Sequence, residues 1–179
     1  IITTELNPGV HTVRIEVIDS TGESGEDTIT VTVSENNLPV VEILEPSWGA
    51  YAEDESILVQ VMVSDADQDP DTLSLSWMLD GESLSSGPDF ANSDGSAVMT
   101  LPAADLDLGE HLLQVLAQDN TGDATGDEHY FDIVLRDGDG DGFDNAELED
   151  GDDCDDDDST VNPGEKEICD PEDIDEDCD

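Results

Sequence analysis

The sequence has almost no positive charge, and this absence excludes whole classes of partner. Fifty Asp and Glu residues stand against three Lys and Arg residues, which gives a formal net charge of -47 over 179 residues. Binding to nucleic acid or to an anionic membrane surface needs clustered basic side chains, whereas Arg14, Arg136 and Lys166 are scattered singly. Self-repulsion on this scale opposes a compact state, so we expect bound cations or high external salt to offset it.

Long apolar runs and catalytic motifs are missing as well. No stretch approaches the ~20 apolar residues that a membrane-spanning helix needs, and the sequence shows no secretory signal peptide. No Gly-x-Ser-x-Gly or His-Glu-x-x-His motif occurs, and the histidines lie in strand-like segments. The sequence therefore offers no convergent nucleophile, base or open metal site and predicts a protein that is not an enzyme.

Short segments of alternating apolar and polar residues are present up to Leu135. This period of two is typical of half-buried antiparallel strands, and turn residues separate the segments. The alternation predicts an all-β fold. The segments are residues 11–17, 27–33, 56–63, 72–77, 111–117 and 129–135.

An internal repeat with a spacing of 100 residues divides the chain. The matched residues are Leu6, Gly9, His11, Asp19, Thr21, Gly22 and Asp27 with Leu106, Gly109, His111, Asp119, Thr121, Gly122 and Asp127. One period equals one β-sandwich domain of ~100 residues. We therefore expect residues 1–35 to be the C-terminal hairpin of an incomplete immunoglobulin-like domain, 36–135 a complete β-sandwich, and 136–179 a separate Asp-rich segment. A lone hairpin is marginal in water, so it should pack on strands from an upstream part of the protein or from a neighbouring copy.

The complete domain carries loose family motifs. It opens with NNLPVVEILEPSWGAY (36–51), continues with VMVSDADQDPDTLSLSWMLDGESL (61–84) and closes with LGEHLLQVLAQDNTGD (108–123). These segments resemble the PKD and cadherin-like group of bacterial immunoglobulin-like modules. The resemblance implies a sandwich with Trp77 in its core, and it supports architecture more than function.

Four alternating acids follow the third of the strand-like segments. They form either a solvated acidic loop or a cadherin-like calcium site, the second only if the loop curls or residues 35–37 reach it. The four are Asp65, Asp67, Asp69 and Asp71.

The last quarter of the chain is far more acidic, with 22 Asp or Glu among the 43 residues from 137 on. A solvated acidic tail is one interpretation. However, Asp137, Asp139 and Asp141 have the spacing of positions 1, 3 and 5 of a calcium loop, with the carbonyl of Phe143 at position 7. Position 12 is Leu148, which cannot ligate, so another acid must close the loop. The candidates are Glu147, Glu149, Asp150 and the acids of the 152–158 run.

The whole segment resembles the MopE-type metal-binding repeat of secreted bacterial proteins, on its DGDGDGF, DCDDDD, PGEKEICD and DEDCD motifs. Glu165 and Pro171 depart from the family pattern, which usually has Ala and Gly there. The resemblance implies further metal ligands at Asp153, Asp155, Asp156, Asp158, Glu167, Asp170, Asp173, Asp175 and Asp177.

The ligand chemistry favours Ca²⁺. The family is also associated with copper, but copper prefers imidazole and soft sulfur, and the segment holds no His and no Met. The spacing of Cys154, Cys169 and Cys178 does not match a zinc module. A disulfide would suit an oxidising compartment, and the odd number of cysteines leaves the pairing open.

These features predict an extracellular structural or adhesive module with calcium in its Asp-rich segment. Its expected partners are neighbouring domains or copies of the same protein. Two alternatives stay open at this point: a metal-scavenging protein with many exchangeable sites, and a halophilic surface protein whose acidity is an adaptation to salt.

Overall fold

A computed structural model describes residues 6–167 and 175–178 and divides the chain into two compact units. The first unit extends to Asn37, and the second begins at Leu38. Among the described residues, no helix is long and apolar enough to cross a membrane.

The first unit is an antiparallel hairpin. Strands β1 (Gly9–Ile18) and β2 (Ser24–Val33) pair in unbroken register from Gly9 opposite Val33 to Ile18 opposite Ser24. Because side chains alternate across a strand, Val13, Ile15, Val17 and Ile29 lie on one face of this hairpin. Ile15 is 62% exposed, which is unusual for a side chain on the apolar face of a strand.

The second unit contains two sheets. One has three strands in the order β3-β5-β8, and the other has five in the order β4-β10-β9-β6-β7. The pairing of β4 with β10 is parallel, and the other strand pairs of these sheets are antiparallel. The strands are β3 (Val40–Glu45), β4 (Ala50–Ala52), β5 (Ser56–Ser64), β6 (Ser74–Leu79), β7 (Glu82–Ser83), β8 (Ser96–Pro102), β9 (Gly109–Gln118) and β10 (Ala124–Val134).

This strand order is that of an immunoglobulin-like sandwich. Such domains place their strands A, B and E in one sheet and C, F and G in the other. Strands β3, β5 and β8 take the first three places, β6, β9 and β10 take the second three, and β4 and β7 extend the larger sheet. The all-β immunoglobulin-like fold predicted from the sequence is confirmed.

The core forms where the two inner faces meet. Alternate residues of β5, namely Ile57, Val59 and Val61, are almost fully buried, as the period of two requires. Trp77 of β6 is 2% exposed, and its Nε1–H donates a hydrogen bond to the carbonyl of Pro88 at 2.9 Å. The sandwich role predicted for Trp77 is therefore confirmed.

The two hairpins of the repeat have the same kind of turn. In the second hairpin, Asp119 Oδ1 accepts the backbone N–H groups of Thr121 at 2.8 Å and Asp123 at 2.9 Å. In the first, Asp19 Oδ1 accepts those of Thr21 and Glu23 at 2.8 and 3.0 Å. The repeated Asp-x-Thr-Gly therefore builds an Asx turn that links neighbouring strands in both units.

The repeated histidine also has a shared contact. His111 Nε2 lies 2.7 Å from the carbonyl oxygen of Asp107, and His11 has the equivalent contact with Asn7. His111 Nδ1 lies 2.7 Å from Asp80 Oδ2. Burial, the largest single effect, acts to lower the pKa of His111, but the Asp107 carbonyl and the Asp80 carboxylate outweigh it, so the pKa is raised.

Candidate metal centre

Arg136 joins the sandwich to the Asp-rich segment that follows it. Its guanidinium donates hydrogen bonds to Asp54 at 2.8 Å and Glu55 at 3.1 Å, both in or next to the turn that precedes β5. A third bond reaches Asp144 at 3.2 Å, and the backbone N–H bonds Glu53 at 2.8 Å. These carboxylates raise the pKa of Arg136, so its charge is permanent. The start of the Asp-rich segment is thereby fixed to one end of the sandwich.

The glycine-rich loop after Arg136 curls so that its acids converge. Asp137 accepts the backbone N–H groups of Gly140 at 2.7 Å and Gly142 at 3.1 Å. Both glycines have positive φ, 84° and 98°, which permits the tight curvature. Carboxylate oxygens of Asp137, Asp139 and Asp141 lie within 4.8 Å of one another. We call these three residues the loop cluster.

Asp153 is a fourth carboxylate beside the loop cluster. It is 1% exposed, and its backbone pairs with the segment after the loop through hydrogen bonds to Asp144 and from Ala146, both 3.0 Å long. Its Oδ1 accepts the N–H of Asp155, but Oδ2 has no hydrogen-bond partner among the described residues. A buried carboxylate oxygen without a donor costs free energy, and a cation would supply the missing partner.

The pKa shifts reflect this crowding. Burial raises the pKa of Asp139, and the charges of Asp141 and Asp153 add to the increase, against a smaller lowering by a backbone N–H. Burial also raises the pKa of Asp153, and the charges of Asp141 and Asp156 add to it while the Asp155 N–H opposes it. Both shifts mark partly desolvated carboxylates that repel one another.

A second group of acids lies near the end of the chain. Carboxylate oxygens of Glu167, Asp175 and Asp177 also lie within 4.8 Å of one another. Asp177 Oδ1 is buried without a hydrogen-bond partner among the described residues. Burial is the largest cause that raises the pKa of Glu167, and the charge of Glu176 adds to the increase. We call Glu167, Asp175 and Asp177 the terminal cluster.

A disulfide connects the regions of the two clusters. Cys154 and Cys178 are bonded, with their Cα atoms 5.8 Å apart and a sequence separation of 24. Cys154 directly follows Asp153, and Cys178 directly follows Asp177. The structure thus resolves the pairing that the sequence left open for these two cysteines, whereas Cys169 lies outside the described residues.

The other predicted ligands have different positions. Asp156 accepts hydrogen bonds from Gly138 N–H and Asn145 Nδ2, both at 3.0 Å, so both of its oxygens brace the loop. Asp158 accepts the hydroxyl and N–H of Thr160 in a turn. The side chain of Asp155 is exposed, and the N–H of Phe143 donates a hydrogen bond to Asp141. The predicted ligands Asp170 and Asp173 lie outside the described residues.

Sequence reasoning did not identify Asn162. This residue is 4% exposed, and its Nδ2 donates a hydrogen bond to Asp141 Oδ2 at 2.6 Å. The available signal was weak, since an Asn before Pro-Gly is common in turns. Its contact joins residues 21 apart in sequence, which no local pattern indicates.

The acids after β5 do curl. Asp65 Oδ1 accepts the N–H groups of Asp67 at 2.7 Å and Gln68 at 3.1 Å in an Asx turn. Within the described residues, the loop cluster and the terminal cluster are the groups of three or more acids that could hold a metal, and this turn is not among them. The hydrogen bonds of Asp65 give it a role in the turn.

The loop cluster and Asp153 fit a hard divalent cation. Asp137, Asp139, Asp141 and Asp153 offer only carboxylate oxygens, which are the ligands Ca²⁺ prefers. No imidazole or thioether lies in residues 137–179, so the softer ligands that select copper are missing from this segment.

Comparisons with known proteins find similarity only among solved structures. No protein-family model matches the chain, and no curated protein matches it. Solved structures similar to it include the endo-β-1,4-mannanase from Thermotoga petrophila, at 15% identity, TM-score 0.44, over 54% of this chain and 20% of that one. The Ig1-2 module of the Drosophila receptor protein tyrosine phosphatase DLAR gives 13% identity, TM-score 0.41, over 53% and 49%. A titin tandem of Ig domains gives 13% identity, TM-score 0.39, over 71% and 62%. The chain thus spans less than two thirds of the length of each.

Proposed function

We propose that this chain is a calcium-binding structural or adhesive module of a secreted or cell-surface protein, with no catalytic activity. The immunoglobulin-like sandwich supplies a rigid body, and the Asp-rich segment folds around calcium at one end of it. Neighbouring domains, or further copies of the same protein, are its partners. Residues 137, 139, 141 and 153 bind the first ion, and the terminal cluster binds a second.

The buried carboxylate of Asp153 is the observation that carries this proposal. An acidic surface tail keeps its charges in water, where repulsion is screened and hydration is complete. Asp153 instead holds its charge in the interior beside Asp139 and Asp141, with one oxygen lacking any donor among the described residues. A cation that enters this arrangement would neutralise these charges and give the unpaired oxygen a partner. Binding of the ion and folding of the segment are therefore coupled.

The same chemistry supports the proposed extracellular location. Extracellular calcium modules work with dissociation constants of ~10⁻⁴ to 10⁻³ M, which the calcium outside cells can saturate. The Cys154–Cys178 disulfide is stable in an oxidising compartment. The resemblance to MopE-type repeats and to PKD and cadherin-like modules agrees with this setting. Arg136 fixes the proposed ion-binding segment to the sandwich, so calcium that orders this segment also acts on its connection to the sandwich.

The test is a titration of the EDTA-stripped full chain with calcium, magnesium, copper and sodium chloride in parallel. Calorimetry gives stoichiometry and affinity, and urea unfolding gives stability. A ligand that binds only the folded state at ten times its dissociation constant stabilises that state by about 1.4 kcal/mol per site. We expect calcium at millimolar concentration or below to produce an increase of this order and to order the loop cluster.

A pair of variants makes the test specific. Asp153→Asn removes the closing charge and should reduce the calcium-dependent stabilisation strongly, whereas Asp132→Asn makes the same change on the exposed face of β10 and should not. Tighter binding of copper would replace the proposal with metal scavenging. Equal stabilisation by sodium chloride, with no saturable calcium binding, would replace it with salt adaptation.

A further inference from the structure

The buried residue Asn162 contacts Asp141 of the loop cluster and the backbone between two residues of the terminal cluster. Its side-chain Nδ2 donates to Asp141 Oδ2 at 2.6 Å, in the loop cluster. Its backbone N–H donates to the carbonyl oxygen of Glu176 at 3.0 Å, and Glu176 stands between Asp175 and Asp177 of the terminal cluster. The same residue therefore touches one candidate ligand and the backbone that carries two others.

The side chain of Asn162 is held in one orientation. Its Oδ1 accepts the N–H of Gly164 at 2.8 Å, and its Nδ2 lies 3.4 Å from the carbonyl of Ser159. These contacts fix which end of the amide donates, because only the nitrogen can donate to Asp141. A shift of the backbone at Asn162 therefore moves the donor that orients the Asp141 carboxylate.

The Cys154–Cys178 disulfide is a second connection between the two clusters, in addition to the contacts of Asn162. Asp153, beside the loop cluster, and Asp177, in the terminal cluster, directly precede the two bonded cysteines. The N–H of Cys154 also lies 3.3 Å from Cys178 Sγ. The backbone segments that carry Asp153 and Asp177 cannot separate far while this bond is intact.

We propose that Asn162 couples the two cation sites, so that calcium bound at either site raises the affinity of the other. This inference rests on the calcium-binding function proposed above. Without an ion, like charges push the carboxylates of each cluster apart. An ion in the terminal cluster draws Asp175 and Asp177 together and fixes Glu176 between them, and the hydrogen bond from Asn162 then holds Asp141 in its ligating position. The effect is reciprocal, as thermodynamic linkage requires.

The experiment is a double-mutant cycle on the full chain, stripped with EDTA and titrated with calcium chloride at constant ionic strength. Amide signals of Gly140 and Gly142 in heteronuclear NMR spectra report calcium in the loop cluster alone, since both amides bond Asp137. The first change is the pair Asp175→Asn and Asp177→Asn, which disables the terminal cluster. The second is Asn162→Asp, which retains an oxygen for the Gly164 N–H but lacks the donor to Asp141.

Coupling through Asn162 predicts a specific pattern. Disabling the terminal cluster should weaken calcium binding at the loop cluster about 5- to 150-fold in the Asn162 protein, the usual range for coupled sites. The same change should have less than about a twofold effect in the Asn162→Asp background. General electrostatic attraction by the two lost charges is equal in both backgrounds, so the difference isolates the connection. Asn92→Asp, which adds one charge on the exposed part of the sandwich, is the matched control and should leave the coupling intact.

Each other outcome has a distinct meaning. An unchanged loop affinity after the terminal cluster is disabled overturns the coupling and leaves the calcium function standing. An equal loss in both backgrounds overturns the role of Asn162. No saturable calcium shift of Gly140 and Gly142 in the wild type overturns the proposed function itself. Asn162→Ala, which loses donor and acceptor together, must give the same pattern as Asn162→Asp. Tryptophan emission, to which the buried Trp77 contributes, verifies that the sandwich is folded in every variant.

Discussion

Replacing Gly151 by Ala should weaken calcium binding without touching any ligand. A Cβ at this position would lie 1.7 Å from the carbonyl oxygen of Asn145 and 2.4 Å from its carbonyl carbon. Ordinary contacts are about 3.5 Å long, so the two backbone segments must separate by nearly 2 Å. That shift breaks the hydrogen bonds between Asp153 and its neighbours Asp144 and Ala146, both 3.0 Å long. Asp153 then loses the backbone pairing that places it beside the loop cluster.

The size of the effect follows from those two bonds. Each backbone hydrogen bond contributes about 0.5–1.5 kcal/mol, so the loss is about 1–3 kcal/mol. If calcium must restore the displaced segment, its affinity falls by roughly 5- to 150-fold. Isothermal calorimetry on the full chain measures this, with Gly25→Ala as the control because a Cβ at Gly25 would meet no other atom within 4 Å. Wild-type affinity in Gly151→Ala would refute the idea that this backbone pairing positions Asp153.

Three further predictions concern the sandwich and its connection to the Asp-rich segment. Because the pKa of His111 is raised above 6.5, its contribution to stability is complete below that pH and is lost as the pH rises through the raised value. Urea unfolding between pH 6 and 9 should show this slope, and Asp80→Asn should flatten it. Gly87→Ala should destabilise the fold by about 1–3 kcal/mol, because its Cβ would lie 2.3 Å from the indole of Trp77. Arg136→Met should speed proteolysis of the Asp-rich segment in subsaturating calcium, whereas the control Arg14→Met, in the hairpin, should not.

Contrary outcomes are equally specific. A pH slope that survives Asp80→Asn would assign the slope to another group. An unchanged urea midpoint for Gly87→Ala would mean that Trp77 and its loop move apart at no cost. Equal proteolysis of the wild type and Arg136→Met would mean that its hydrogen bonds do not restrain the segment.

The sandwich could be predicted because its local signals agree with its global arrangement. The alternation of apolar residues in β5, with Ile57, Val59 and Val61 inside, follows directly from the pleat of a strand. The repeated Asp-x-Thr-Gly of Asp19 and Asp119 fixes the same Asx turn twice. The order of the strands was harder to predict from the sequence, since the parallel pairing of β4 with β10 joins Ala50 to Asp132, which are far apart in the chain.

The site could be predicted only in part, because Asp153 and Asn162 reach the loop through long-range contacts. The spacing of Asp137, Asp139 and Asp141 is a local pattern and indicates a cation loop by itself. The sequence left the closing acid open among several candidates, and the structure brings Asp153 beside the loop through backbone pairing. Asn162 could not be found from spacing, since its role depends on where the chain returns.

The distribution of charge supports the proposed calcium binding at this end of the molecule. Of the three basic residues in the chain, Arg136 stands at the junction of the sandwich and the Asp-rich segment, where it binds Asp54, Glu55 and Asp144. One guanidinium neutralises part of that junction, but the 22 acids that follow have only Lys166 among them. The strands can hold their acids outward in water, whereas the loop cluster and Asp153 must bring theirs together as the segment closes. The electrostatic cost of closure therefore concentrates where carboxylate oxygens lie unpaired, and the proposed divalent cation would offset it at that point.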